Sequence, residues 1–254
     1  MKLHLLGTTG YHPNDKRHTA CMMIPELGIV LDAGTAMYRV RDLIETSTLD
    51  IFLTHAHLDH VIGVTFLFDV LWEMEMEHVR VHAEPDKVAA LKAHLFSKLI
   101  FPVQPPFDWA QLIQLSNETQ SQTMSIGGGG TLTYFRLKHP GGALGYRLDW
   151  PGRSLAYVTD TTAVEDADYI EQIRGVDVLL HECYFPDGWE DRAELTGHSC
   201  ISPVAKVAAA ADVGRLILVH INPLAMEDDP FGLDRAREIF ANIEIGTDGQ
   251  VVDF

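Results

Sequence analysis

Cysteine is scarce in this chain of 254 residues: Cys21, Cys183 and Cys200 are an odd number and too few for a disulfide framework, so they read as reduced thiols. No apolar run approaches the ~18 residues that a membrane span requires. The opening MKLHLLGTTG is too short a stretch for a secretory signal, and Gly7 interrupts it. These absences predict a cytoplasmic protein without membrane association. Basic residues are also few, 19 Lys and Arg against 36 Asp and Glu, a net charge of −17. Such a balance repels a nucleic-acid backbone unless metals or a local basic patch reverse the field, which disfavours a large nucleic-acid partner. The glycine run Gly127 to Gly130 is not followed by the GK[ST] of a phosphate-cradling loop, so it reads as a turn.

What is present is the composition of a globular protein, 46% hydrophobic and 22% charged. Short strands are expected at Lys2 to Leu6, Cys21 to Ile24 and Ile29 to Leu31, then a helix opened by Asp32 and Gly34 and running through Arg39 to Ile44. A strand at Asp50 to Leu53 runs into THAHLDH, with a helix starting near Val61. Val79 to His82 reads as a strand and Lys87 to Phe96 as a helix. Phe101 to Ile126, with Pro102, Pro105 and Pro106, reads as an irregular excursion. Strands follow at Thr131 to Leu137, Leu144 to Leu148, Ser154 to Thr159, Val176 to Leu180 and Leu216 to Val219. Helices are expected at Asp166 to Arg174, Ser202 to Ala211 and Leu233 to Ala241, before a terminal strand pair. Strand-rich and helix-bearing stretches in both halves favour an α/β fold of two sheets covered by helices, with residues 1–254 as one domain.

The sharpest signal is THAHLDH, which packs His55, His57, Asp59 and His60 into six residues after an apolar strand. Imidazole nitrogen and carboxylate oxygen suit zinc, and also manganese or iron. A solvated polar loop would not explain why further candidates recur at strand ends: His139 after Thr131 to Lys138, Asp160 after Ser154 to Thr159, His220 after Leu216 to Val219. Strand termini along one sheet edge can project these side chains into a common cleft.

HAHLDH with a later His, Asp and His resembles the metallo-β-lactamase fold hydrolases, from LLGTTG to ILVHINP. The resemblance implies a four-layer αββα sandwich and two divalent metal ions, with His55, His57 and His139 on one, Asp59, His60 and His220 on the other, and Asp160 bridging them. Asp59 counts there among the catalytic residues too. Two cations sharing a water lower its pKa toward neutrality and polarise the substrate. HPGGALGYRL, YVTDT, LLHECYF and TGHSCISPVAKVAAAADVGRLILVH are similar to the ribonuclease Z branch and its phosphodiesterase relatives. That similarity implies that Glu182 and His198 help protonate the leaving oxygen, and that homodimers are common. His181 reads as structural. About twenty residues separate His139 from Asp160, with no basic insertion, so the arm by which ribonuclease Z grips tRNA is missing and a small or cyclic phosphodiester is the expected substrate.

Hydrolysis of a carboxylic ester, lactone or thioester is the rival expectation, and a non-catalytic carrier of the same fold a third. Gly7, Thr8 and Thr9 are candidates for the cleft floor, and Trp72 to His78 for a substrate-facing wall, although core or interface packing fits the latter better. His4, His12, His18, His78, His82 and His94 have no ligand context.

Overall fold

The computed structural model describes residues 1–116 and 118–254. The chain runs through six strands, β1 (Lys2–Gly7), β2 (Cys21–Ile24), β3 (Ile29–Leu31), β4 (Thr48–Phe52), β5 (His78–Ala83) and β6 (Asp108–Gln111). Seven more follow: β7 (Ser121–Ile126), β8 (Gly130–Leu137), β9 (Ala143–Trp150), β10 (Arg153–Val158), β11 (Val178–Glu182), β12 (Arg215–Val219) and β13 (Ile243–Ile245). The last strand, β14 (Gln250–Asp253), returns to the first half of the molecule. The two sheets have the orders β14-β1-β2-β3-β4-β5-β6 and β13-β12-β11-β10-β9-β8-β7.

Both sheets repeat one pattern. β1, β2 and β3 are antiparallel neighbours, and β3 to β6 run parallel. β8, β9 and β10 are likewise antiparallel, and β10 to β13 run parallel. Parallel strands covered on both faces read as unbroken apolar runs, which is why IVL in β3 and RLILV in β12 show no alternation. Between the sheets lies a core that includes Leu5, Met22, Phe52, Tyr146, Leu155 and Leu180. Outside the first sheet, Met37, Val40, Val64 and Val88 of the helical segments pack on Val30 and Ile51. Outside the second, Val204, Ala205 and Ala208 of the helix Ile201–Ala210 pack on Leu179 and Leu216. Each large aliphatic side chain fully buried in these layers contributes ~1.5–3 kcal/mol. The layers are the expected αββα sandwich.

Three expectations for the elements need correction. Asp166 to Arg174 forms only the 3-10 turn Asp168–Ile170, followed by further turns up to Gly175. The excursion Phe101 to Ile126 contains β6 and β7, both edge strands, where the ladder tolerates nearby prolines; Asn117 within it lies outside the described residues. The terminal strands do not pair with each other: β13 joins β12, and β14 crosses over to β1. Among the described residues, no helix is long and apolar enough to cross a membrane, and all three cysteines are buried and unpaired.

Candidate metal centre and active site

The parallel strands, together with β8, which runs in the same direction as β10, deliver polar side chains from their C-terminal ends to one edge of the sandwich, the place where open α/β sheets ordinarily bind ligands. β4 leads into His55, His57 and the short helix Leu58–Val61 that carries Asp59 and His60. From the second sheet, β8 ends before His139, β10 before Asp160 and β12 before His220. Asp160 and His220 both adopt left-handed backbone, with φ of 51° and 54°, and so turn their side chains into the cleft at a conformational cost of order 1–3 kcal/mol each.

All seven predicted ligands converge. His55, His57, His139 and Asp160 place donor atoms within 4.8 Å of one another, and Asp59, His60 and His220 form a second such group. The Asp160 carboxylate faces both: Oδ2 lies 3.4 Å from His55 Nε2 and 3.5 Å from His139 Nε2, while Oδ1 lies 3.3 Å from His60 Nε2 and 3.1 Å from His220 Nε2. Asp59 Oδ2 is 3.4 Å from His60 Nε2 and 3.3 Å from His220 Nε2. His57 Nδ1 faces His139 Nε2 at 3.3 Å. Tetrahedral coordination with bonds of 2.0–2.1 Å sets ligand atoms ~3.3 Å apart, so this spacing fits a divalent transition metal.

Two further observations agree. His55 Nε2 and His60 Nε2 are buried and have no hydrogen-bond partner, an arrangement that costs ~1–3 kcal/mol per group unless something binds there. The opposite ring nitrogens are held: His55 Nδ1 by Thr54 Oγ1 (3.0 Å), His60 Nδ1 by Asp32 Oδ2 (2.7 Å) and His139 Nδ1 by the Gly197 carbonyl (3.0 Å). Each Nδ1 donates outward, so each Nε2 lone pair points inward. Burial opposes charge on Asp160, but His220, His60 and His55 outweigh it and hold its carboxyl well below the usual range. Burial holds His139 down to about 4. A deprotonated carboxylate and a neutral imidazole are the forms a metal takes.

Glycine is required at Gly10, where a Cβ would lie 2.2 Å from Cε1 of His220. Gly197, at φ 75°, brings its carbonyl against His139, and a Cβ there would lie 2.8 Å from His139 Nδ1.

Beside the donors, His198 lines the cleft with its Nδ1 3.2 Å from Glu182 Oε1. Glu182, at the end of β11, is fully buried and accepts from the backbone N–H of Thr161 (2.6 Å) and Ser199 (3.2 Å). Tyr184 stacks on the His198 ring at 4.7 Å. Burial works against charge on His198, but the Glu182 carboxylate wins by charge and hydrogen bond, raising the imidazolium to about 9. His181 is buried, with Nδ1 donating to the Glu182 carbonyl and Nε2 accepting from Tyr169.

Asp32 escaped the sequence reading, which took it only as a helix opener. It sits after β3, fully buried, at φ 57°. Its carboxylate accepts from the Thr54 N–H (2.8 Å), Thr54 Oγ1, His60 Nδ1 and the Tyr157 hydroxyl (2.9 Å). Its counterpart in the other half-chain is Asp160, and that equivalence of position after β3 and β10 was the available signal. Asp32→Asn is expected to weaken metal retention ~10–100-fold, the effect of losing a ligand's outer partner. Chelator competition measures it, and an unchanged affinity would remove Asp32 from the metal site.

The cleft has a volume of about 920 Å³ and is lined by Tyr11, His12 and Leu58 as well as His57, His139, His198 and His220. His12, given no role above, therefore belongs to its wall. Thr8 and Thr9 are buried, bonded to Asp248 and to the Ile221 carbonyl, and are not among the residues that line the cleft. Met74 and Met76 line a separate groove with Pro105 and Pro106, so Trp72 to His78 is not a wall of this cleft.

Two sheets packed face to face, with a His/Asp cluster at the rim formed by their strand ends, define the metallo-hydrolase class. A family model described as "Beta-lactamase superfamily domain" matches residues 29–221. The chain belongs to this superfamily, and it is a metal-dependent hydrolase whose fold implies divalent cations. A ribonuclease Z of Metallosphaera sedula is 25% identical over 279 aligned positions covering 94% of each chain. One from Cytophaga hutchinsonii is 40% identical over 97 residues, covering 38% of this chain and 30% of that protein. The crystal structure of the metallo-beta-lactamase fold protein YhfI from Bacillus subtilis superposes with a TM-score of 0.80 at 17% identity, covering 99% of both chains.

Proposed function

We propose that this chain is a phosphodiesterase with two divalent cations, zinc foremost, acting on a small or cyclic phosphodiester. The observation that carries the reading is the Glu182–His198 pair, which sets a charged imidazole in the same cleft as the donor cluster. His55, His57 and His139 would hold one cation, Asp59, His60 and His220 the other, with Asp160 shared. Bound there, the cations would lower the pKa of water and polarise a phosphoryl oxygen. A phosphodiester's leaving oxygen departs as an alkoxide and needs a proton; His198 donates it, and Glu182 holds the imidazolium charged and oriented. A carboxylic ester has less need of this second group. The hairpin β9–β10 takes up most of the residues between His139 and Asp160, leaving no room for a tRNA-gripping arm. The ribonuclease Z relatives support phosphodiester chemistry, while the smaller substrate rests on the missing arm and the net charge of −17.

The test is release of nitrophenolate from bis(p-nitrophenyl) phosphate by zinc- or manganese-loaded protein, with a nitrophenyl carboxylic ester and a lactone in parallel. Preference for the phosphodiester is expected; preference for the ester or lactone would overturn the reading. The pH profile gives a second check. Loss of the Glu182 charge lowers the His198 pKa, so the acid form disappears at a lower pH. On a phosphodiester with an alkyl leaving group, Glu182→Gln is therefore expected to move the alkaline limb of kcat/KM to lower pH, and a limb that stays in place would count against the pairing.

A further inference from the structure

We infer that Tyr11 is a stacking platform for a planar ring, and that the phosphodiester carries a nucleoside on the side of the cleft that Tyr11 occupies. This deepens the proposed function and rests on it. Tyr11 is 76% exposed at the cleft mouth, an unusual position for an aromatic side chain that no core contact explains. Its backbone is fixed. At φ 61° its N–H donates to Asp59 Oδ2 (2.7 Å), Gly10 N–H bonds the Ile221 carbonyl (3.1 Å), and His12 N–H bonds the Gly10 carbonyl (2.7 Å). The ring thus stands on a peptide tied directly to a candidate ligand, so that on binding only its side-chain torsions remain to be ordered. His12, held by its Nδ1 to the Pro13 carbonyl (2.8 Å), meets the Tyr11 ring edge-on at 5.6 Å.

Charge narrows the class of substrate. None of the described residues lining the cleft is Lys or Arg. The two cations of the same loop are turned elsewhere: Lys16 bonds the Met226 carbonyl and Asp228, and Arg17 is committed to Thr8 and the Gly246 carbonyl. The protein therefore offers side-chain charge for one phosphate at the site and, beside it, an aromatic face. A base on a single phosphodiester fits this arrangement, whereas a polyphosphate or a long polyanion would lack counter-charges.

The experiment compares thymidine 5′-(p-nitrophenyl phosphate) with methyl p-nitrophenyl phosphate, which share a leaving group and differ in carrying a nucleoside or a methyl group, on metal-loaded wild type, Tyr11→Ala and Tyr11→Phe. Dissociation constants for thymidine 5′-monophosphate are measured alongside by calorimetry. The side-chain changes leave the Tyr11 N–H bond to Asp59 in place. Tyr11→Ala is expected to raise KM for the thymidine substrate by roughly 5- to 150-fold more than for the methyl one, the range that base stacking supplies. Binding of the nucleotide should weaken in parallel, and Tyr11→Phe should restore both. Equal effects on the two substrates, or unchanged nucleotide binding in Tyr11→Ala, would overturn the inference. Absence of turnover of either compound by wild type would reject the phosphodiesterase reading alone, because the binding arm still decides the role of Tyr11.

Discussion

Asp160→Ala is expected to fold, to retain less than its full metal complement and to lose kcat/KM by about 10³-fold or more. Several kcal/mol of transition-state stabilisation would depend on bound metal, and each 1.36 kcal/mol is tenfold in rate. The expectation follows from the two oxygens of one buried carboxylate, Oδ2 directed to His55 and His139 and Oδ1 to His60 and His220. Removing it deprives both donor groups at once, whereas loss of any single histidine touches only one. Asp160→Asn separates charge from shape: it keeps one oxygen and the turn at φ 51° but gives up the negative charge that would balance bound metal. Elemental analysis after gel filtration, paired with rates at fixed metal, measures both quantities. Full double occupancy in Asp160→Ala would remove it as the bridge.

The second large effect belongs to His198. At equal metal content, His198→Ala is expected to lower turnover of a phosphodiester with an alkyl leaving group by about 10²–10⁴-fold, the range of general acid catalysis. The same variant should lose much less on a nitrophenyl diester, because nitrophenolate leaves without a proton. This contrast identifies the acid; a uniform loss on both leaving groups would instead point to disturbed binding, since His198 also packs beside His139 and His220.

Much of the site was legible because its donors are local or sit at strand ends. THAHLDH presents four candidates without any knowledge of the fold, and an apolar run followed by His or Asp is a pattern that a parallel strand explains. Asp32 was not legible in that way. It lies outside HAHLDH, and DAG after IVL looks like the start of a helix, so only its place after β3, matching Asp160 after β10, reveals it. Tyr11 and His12 were hidden for a different reason: a loop between β1 and β2 has no period, and its shape is set by bonds to Asp59 and Ile221 that are distant in sequence. The crossing of β14 to the first sheet was likewise invisible, because strand pairing over 250 residues leaves no local mark. The helix expected at Asp166 to Arg174 failed where a few apolar residues imitated a helical face without the length to form one.

The unequal spacing of the donors along the chain has a thermodynamic consequence. His55, His57, Asp59 and His60 stay neighbours even when the chain is unfolded, whereas His139, Asp160 and His220 meet them only once the two sheets have docked. The denatured chain therefore keeps a weak chelating segment of its own. Ligand linkage counts only the difference in affinity between native and unfolded forms, so added metal raises the melting temperature by less than its native affinity alone would give.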